Sequence, residues 1–310
     1  LAKWPAPGLA ALIIAMPLVL LWKNFGELRA TNSPAIREFA RELYEDLPMG
    51  QSAVLSEDPK QLLLLRAELA SHGHDKDSVL IETPALLSAQ YHQFMARQHG
   101  TRWPDVLPTN RVEKLGPANL LALISRFVAG EPVIYLHPSS GFFFEKFADE
   151  PHGSAHRLVP RPTGEIAPPP PSDPIVAANE QIWQARWTKD LDALTKQFTD
   201  IRQAAVRWSR PPFKWLRLAK RQNTTVSVLG AAYSKSLNYW GGQARRAGQE
   251  AEARDWFRRA IELNPDNLSA RINLEYTTRL AKEPRFRFTL ALAKQQFPDL
   301  LGKYESWWEV

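Results

Sequence analysis

Cysteine is absent from the 310 residues, and with it go disulfides, thiol nucleophiles and zinc–thiolate centres. Three glycine signatures are also missing: the G-x-G-x-x-G fingerprint, the P-loop and the G-x-S-x-G elbow. A nucleotide site therefore has no support. A strong excess of one charge is lacking too. There are 39 Lys+Arg against 33 Asp+Glu, a net +6, and acids regularly interrupt the basic residues. That distribution argues against a nucleic-acid track.

Charge is wholly missing from one stretch. "WPAPGLAALIIAMPLVLLW", Trp4 to Trp22, is 19 residues long, close to the ~20 needed to cross the hydrocarbon layer. Tryptophans at both ends suit the two interfaces. Pro17 is better tolerated in a transmembrane helix than in a soluble one. Residues 1–23 are thus expected to form a transmembrane helix. A signal peptide is the rival reading, but the charged leader is a single lysine and no small-x-small cleavage site follows Trp22.

What is present suffices for packed cores: 44% hydrophobic residues and 10% aromatics over a length that suits two domains. After a short joint, 33–46 reads as a helix with Ser33 as N-cap, Pro34 at its first position and Ile36, Phe39, Ala40, Leu43 and Tyr44 on one face. "SAVLS" (52–56) is a short buried strand. A helix follows, capped by Asp58, opened by Pro59 and stopped by Gly73. "SVLIET" (78–83) is a second strand, and Thr83-Pro84 opens a helix to about Gln98. A helix over 116–130 leads into a third strand, 131–137. "GFFFEKF" and "SAHRLVP" can add antiparallel strands at an edge. This order predicts a small Rossmann-like α/β domain over 24–163 with a mainly parallel sheet.

"GEIAPPPPSDP" marks a Pro-rich linker, 164–175. Beyond it the pattern is helical, so the fold class is α/β plus all-α. Residues 237–267 fit the roughly 34-residue tetratricopeptide (TPR) pattern, with Gly241, Gly248, Ala253, Phe257, Ala260 and Pro265 at its signature positions. Residues 268–281 make the first helix of a next unit, in which Arg271 and Glu275 replace the usual seam residues. One repeat cannot bury its own face, so helices from 176–207 and 286–308 are expected to cap a TPR-like domain over 176–310.

Candidate chemistry is sparse. Glu57 and Asp58 stand where a strand enters a helix, a common functional position in α/β folds, although capping and dipole complementation explain them as well. His72, His74 and Asp75 lack a third spaced metal ligand, and no metal or cofactor is expected. His137, Ser139, Ser140 and His156 suggest a nucleophile and base without an assignable acid. A turn, with His137 to Gly141 touching substrate at most, is the plainer reading. A soluble hydrolase using Ser139 or Ser140 is a third alternative. Of the phenylalanines 142–144, at least one ring must leave the sheet's main core. The Trp- and Arg-rich stretch 183–221 suits a membrane surface, an acidic partner or, more plainly, ordinary helix packing with basic solvated faces.

The order of these parts resembles the C-terminal portion of glycosyltransferase-C-type polytopic membrane proteins, bacterial relatives of a eukaryotic protein O-mannosyltransferase. The resemblance rests on "LRATNSPAIREFARELYEDLPMGQSAVLSEDP" after a span, on "PVIYLHPSSGFFFEKF" followed by "PHGSAHRLVP", and on the TPR tail. It implies a protein of the bacterial inner membrane with residues 24–310 facing the periplasm, and sugar transfer from a polyprenyl-phosphate donor to a protein or glycan acceptor. It further implies that the family's catalytic acid belongs to an early loop outside this chain. Glu57 and Asp58 then do not inherit that role, and the chain serves acceptor binding and scaffolding. The implied partners are the membrane, an N-terminal transmembrane domain of the same protein and an acceptor peptide on the TPR region. A single-span TPR scaffold for envelope assembly, without enzymatic activity, is the alternative.

Overall fold

A computed structural model describes residues 16–17, 34–104, 115–136, 146–162, 168–197 and 224–301. The fold is mixed α/β, mostly helical, with a five-stranded sheet. No described helix is long and apolar enough to cross a membrane. The span expected over 1–23 falls almost entirely outside the described residues, as do Ser33, His137, Ser139, Ser140 and Phe142 to Phe144.

The first half runs α1 (Ala35–Glu45), β1 (Ser52–Ser56), α2 (Pro59–Ser71), β2 (Ser78–Glu82), α3 (Ala89–His99), α4 (Pro117–Gly130), β3 (Val133–Leu136), β4 (Phe147–His152) and β5 (Ala155–Pro160). Strand order is β2-β1-β3-β5-β4. β1 pairs in parallel with β2 and β3, whereas β5 pairs antiparallel with β3 and β4. A parallel core with an antiparallel edge is therefore present, but the edge strand β4 is Phe147–His152 rather than the expected 141–147, of which 141–145 lie outside the described residues.

Alternation along the central strands explains why both faces are covered. Val54, Leu80, Ile134 and Leu136 join the α1 and α2 side chains Phe39, Leu43, Leu62, Leu65 and Leu69 on one face. Ala53, Leu55, Val79, Ile81, Val133 and Tyr135 meet Met95 of α3 and Leu120, Leu123, Ile124 and Phe127 of α4 on the other. One expectation needs correction. Thr83-Pro84 opens only a 3₁₀ turn, Pro84–Leu87, and the helix proper begins after Ser88, whose extended backbone breaks the run.

The second half comprises α5 (Asp173–Arg186), α6 (Thr224–Arg246), α7 (Glu250–Leu263), α8 (Leu268–Leu280) and the short α9 (Leu290–Gln296) and α10 (Pro298–Leu301). A turn of π-helix, Trp187–Leu191, continues α5. α6 and α7 form a tight hairpin. At Gly241 a Cβ would lie 2.6 Å from the Phe257 ring, so only glycine lets the two backbones come so close. Gly248 turns the chain at φ +84°, with its N–H and that of Gln249 donating to the Arg245 and Ala244 carbonyls at 3.0 and 2.9 Å. That is a left-handed helix stop. Ala253, Phe257 and Ala260 are buried along the seam, and Pro265 follows once α7 has ended. On α8, Arg271 donates to the Pro265 carbonyl at 2.7 Å and Glu275 accepts from Arg279, so both seam replacements are satisfied locally.

The apolar cluster on the α1–α2 face of the sheet does not end there. It continues through Val176, Trp183, Tyr233, Leu237, Trp240, Trp256 and Leu263 of α5, α6 and α7. The aromatic residues of this part of the 183–221 stretch are accordingly packed: Trp183 is fully buried and Trp187 is half-buried.

Candidate functional site

The strand order changes direction at β1, because β2 lies on one side of it and β3 on the other. The carboxyl ends of β1 and β3 flank the place where open α/β sheets receive ligands. Here the structure puts the predicted pair Glu57 and Asp58. Asp58 caps α2, accepting the Lys60 N–H at 2.9 Å. Its own N–H donates to Ser56 Oγ at 3.1 Å. Glu57 accepts 2.8 Å from the hydroxyl of Tyr135, a fully buried residue of β3. Thr83, buried at the end of β2, donates its N–H to the Ser56 carbonyl at 2.9 Å. The edge is thus acidic, and the Asp58 carboxylate occupies the positive end of α2. Among the described residues this edge therefore offers carboxylate acceptors rather than donors.

His72 and His74 sit at the exposed end of α2. His72 stacks on Tyr44 with ring centroids 4.5 Å apart, and His74 pairs with Asp77 at 2.8 Å. Both side chains are 45% exposed, as befits a helix end in solvent. His156 is different: with a 3% exposed side chain it bonds Asp149 at 3.3 Å and is no accessible base.

The strongest electrostatics lie where the sheet half meets the helical half, at positions sequence reasoning did not select. Arg186 of α5 forks onto Asp46, with Nη1 3.0 Å from Oδ2 and Nη2 2.7 Å from Oδ1. The Ser154 N–H donates to the same carboxylate at 2.7 Å. Gly153, at φ +60°, passes so close that a Cβ would stand 2.3 Å from Asp46 Oδ1. Asn179 Oδ1 accepts the Gly153 N–H at 2.8 Å, and its amide donates to the Pro151 carbonyl at 2.6 Å. The β4–β5 turn is therefore held by both α1 and α5.

Glu42, one turn before Asp46, meets Arg186 Nε at 3.3 Å and accepts from the Tyr233 hydroxyl at 2.9 Å. Burial pushes its carboxyl up to about 7, against the pull of Arg186 and Tyr233; neighbouring Asp46 and Asp190 raise it further. Burial opposes the charge of Arg186, yet Asp46 and then Glu42 hold its pKa above the ordinary value. Tyr233 is raised well above the usual phenol range, first by burial and then by Glu42.

A second knot joins β4 to α6. Asp149 Oδ2 accepts from Tyr239 and Gln243, each at 2.9 Å, besides His156. Burial alone would raise Asp149, but the hydrogen bond and charge of His156, with Tyr239 and Arg246, hold it below its usual value. Tyr239 rises through burial and the Asp149 charge. Farther along α6, Arg246 donates to the carbonyls of Pro168 and Pro169 at 2.8 and 2.6 Å. A third contact fastens α5 to the hairpin: Glu180 accepts the indole N–H of Trp256 at 2.9 Å and of Trp240 at 3.4 Å.

Among the described residues one trio of carboxylates converges, Glu38, Glu42 and Asp190, with oxygens within 4.8 Å of one another. The Lys189 ammonium already bonds Glu38 and lies 3.4 Å from Asp190. An amine thus supplies the positive charge, and no metal is assigned. A shallow cavity of about 260 Å³ lies between Ser125, Val128, Lys146, Phe147 and Arg161, and none of the predicted site residues lines it.

We found no protein family, curated protein or solved structure that matches this chain. The only sequence signal for the junction was two acids, Glu42 and Asp46, set beside the apolar stripe of α1. Their partners lie 140 and 191 residues away, beyond any spacing rule.

Proposed function

We propose that the chain is the periplasmic, acceptor-binding part of a bacterial membrane glycosyltransferase-like protein. In this reading residues 1–23 supply a membrane span, the sheet half is Rossmann-like, and α6 to α8 are TPR-like. The transfer chemistry, from a polyprenyl-phosphate sugar, belongs to a transmembrane domain of the same protein. The part described serves to hold the acceptor.

One observation carries this reading best. Lys235, Asn238, Gly242 and Arg245 recur along α6 at spacings of three and four, which places them on one face; none of them is buried, while Leu237, Trp240, Gly241 and Ala244 are. α8 extends the same face. Asn273 donates to Asn238 at 2.9 Å, and Arg245 lies 5.2 Å from the centre of the Tyr276 ring. The result is a continuous strip of side-chain amides and cations that suits an extended peptide with polar or acidic character. The Glu57–Tyr135 edge, receptive to hydroxyls, is a second place where a sugar or glycosylated acceptor would be held.

The test uses the full-length protein in membranes. Arg245→Glu together with Asn238→Ala is expected to raise the acceptor KM at least about tenfold, the cost of about 1.4 kcal/mol, and to leave donor hydrolysis without acceptor unchanged. Unchanged acceptor KM overturns the acceptor-binding role. If the intact protein transfers no sugar while the same variant loses a binding partner, the single-span scaffold replaces this reading.

A further inference from the structure

We propose that the junction of α1 with α5 and α6 is a proton-operated latch, closed while the Glu42 carboxyl carries a proton and loosened when it ionises. The proposal is independent of the function proposed above.

The geometry supplies the reason. Among the described residues four carboxyl groups face this junction: Glu38 and Glu42 of α1, Asp46 just after it, and Asp190 from the π-turn. Three cations answer them: Arg186 from α5, Lys189 from the π-turn and Arg41 of α1, which bonds Glu38. Arg186 is forked onto Asp46 and Lys189 is bonded to Glu38. Four carboxyl groups thus share three cations, Glu42 through an arginine forked onto Asp46 and Asp190 through a lysine bonded to Glu38. The two differ in access to water. The Asp190 side chain is 36% exposed, whereas that of Glu42 is 5% exposed beneath Tyr233 of α6. An ionised Glu42 would be a buried carboxylate sharing an arginine already committed elsewhere, which is costly. A neutral one keeps both contacts as ordinary acceptors. Its titration near pH 7 agrees with this assignment.

The place where it would act is also unusual. The π-turn Trp187–Leu191, which supplies Lys189 and Asp190, interrupts the continuation of α5. Single π-turns are uncommon in helices and mark sites where helical register has been traded for something else. Loss of the proton therefore pushes α1 away from the π-turn and Tyr233, the contact that joins the two halves.

The sign follows from linkage. The folded protein holds the Glu42 proton more tightly than the unfolded chain does, because its pKa is raised from 4.5 to about 7. The stabilisation is complete below the unfolded value and is lost as pH rises through about 7.

The experiment follows the 310-residue chain and its Glu42→Gln variant from pH 5 to 8.5 by thermal unfolding, and by hydrogen exchange of residues 173–197 corrected for intrinsic base catalysis. In the wild type, Tm falls and corrected exchange rises about tenfold or more across this window. In Glu42→Gln, which keeps a neutral acceptor, both stay flat, and at pH 8 the variant is the more stable of the two. Parallel profiles for the two proteins overturn the latch. Should the variant not fold, a carboxyl-carbon NMR titration of the wild type decides: a Glu42 midpoint in the ordinary carboxylate range rejects the proposal, and one near neutrality with coincident chemical-shift changes at Tyr233 upholds it.

Discussion

Two glycines with the same backbone sign illustrate how differently one substitution acts. Gly248 turns the α6–α7 hairpin at φ +84° with nothing within 4 Å of a built Cβ, whereas Gly153, at φ +60°, faces the Asp46 carboxylate at 2.3 Å. Gly248→Ala incurs only the left-handed conformational cost and is expected to lose about 1 kcal/mol in urea unfolding. Gly153→Ala must also displace Asp46, on which Arg186 and the Ser154 N–H depend. A loss of about 3 kcal/mol or more is expected from the same measurement. Asp149 makes a further residue-scale prediction. Its lowered pKa means that its contribution is present above the ordinary carboxylate range and is lost as pH falls. Asp149→Asn should cost about 3 kcal/mol at pH 7 and flatten the acid limb of the stability profile. The β4–α6 knot thus weakens in acid, opposite to the latch at Glu42. None of this could be seen in the sequence, where Asp46, Asp149, Gly153 and Arg186 are unremarkable letters. Their meaning lies in contacts between residues 90 to 140 apart.

At the scale of elements, legibility was much better, and for a physical reason. β1, β2 and β3, the cap of α2 by Asp58 and the stop at Gly248 are set by local periodicity and turn chemistry. The 3₁₀ turn at Pro84–Leu87 was missed because a proline opens either helix type and the break at Ser88 carries no breaker residue. The Gly241–Phe257 seam was legible because close helix approach demands a small residue opposite a large one. Gly241→Ala forces the Phe257 ring to move and should cost about 2 kcal/mol. Adding Phe257→Leu should recover part of that loss, a coupling that a double-mutant cycle in urea will measure; strict additivity would show that the two do not share a seam. The candidate edge was only half legible. Glu57 and Asp58 were found from their position at a strand end, while Tyr135, which fixes Glu57, looked like one more apolar strand residue.

For the whole molecule, the decisive feature is a core that passes from the sheet into the helices. Phe39 and Leu43 belong to the same cluster as Trp183, Tyr233 and Trp240. Phe39 and Tyr233 meet edge to face, with centroids 5.1 Å apart. Two halves that share a core and three polar knots are expected to unfold together. Far-UV dichroism and tryptophan fluorescence should therefore give coincident thermal transitions at pH 6. Two resolved transitions would show instead that the halves are separate units touching at a weak interface.

The Asp46–Gly153–Arg186 contact also has an evolutionary consequence. Arg186 needs Asp46 as its partner, and Asp46 needs the space that a glycine at 153 leaves. Replacing Gly153 displaces Asp46, and losing either charge strands the other, so the trio is expected to be inherited as a unit. Across relatives, lineages that replace Gly153 should also have lost Asp46 and the arginine. Such a three-way covariation would identify homologues of this junction even where the surrounding sequence has drifted beyond recognition.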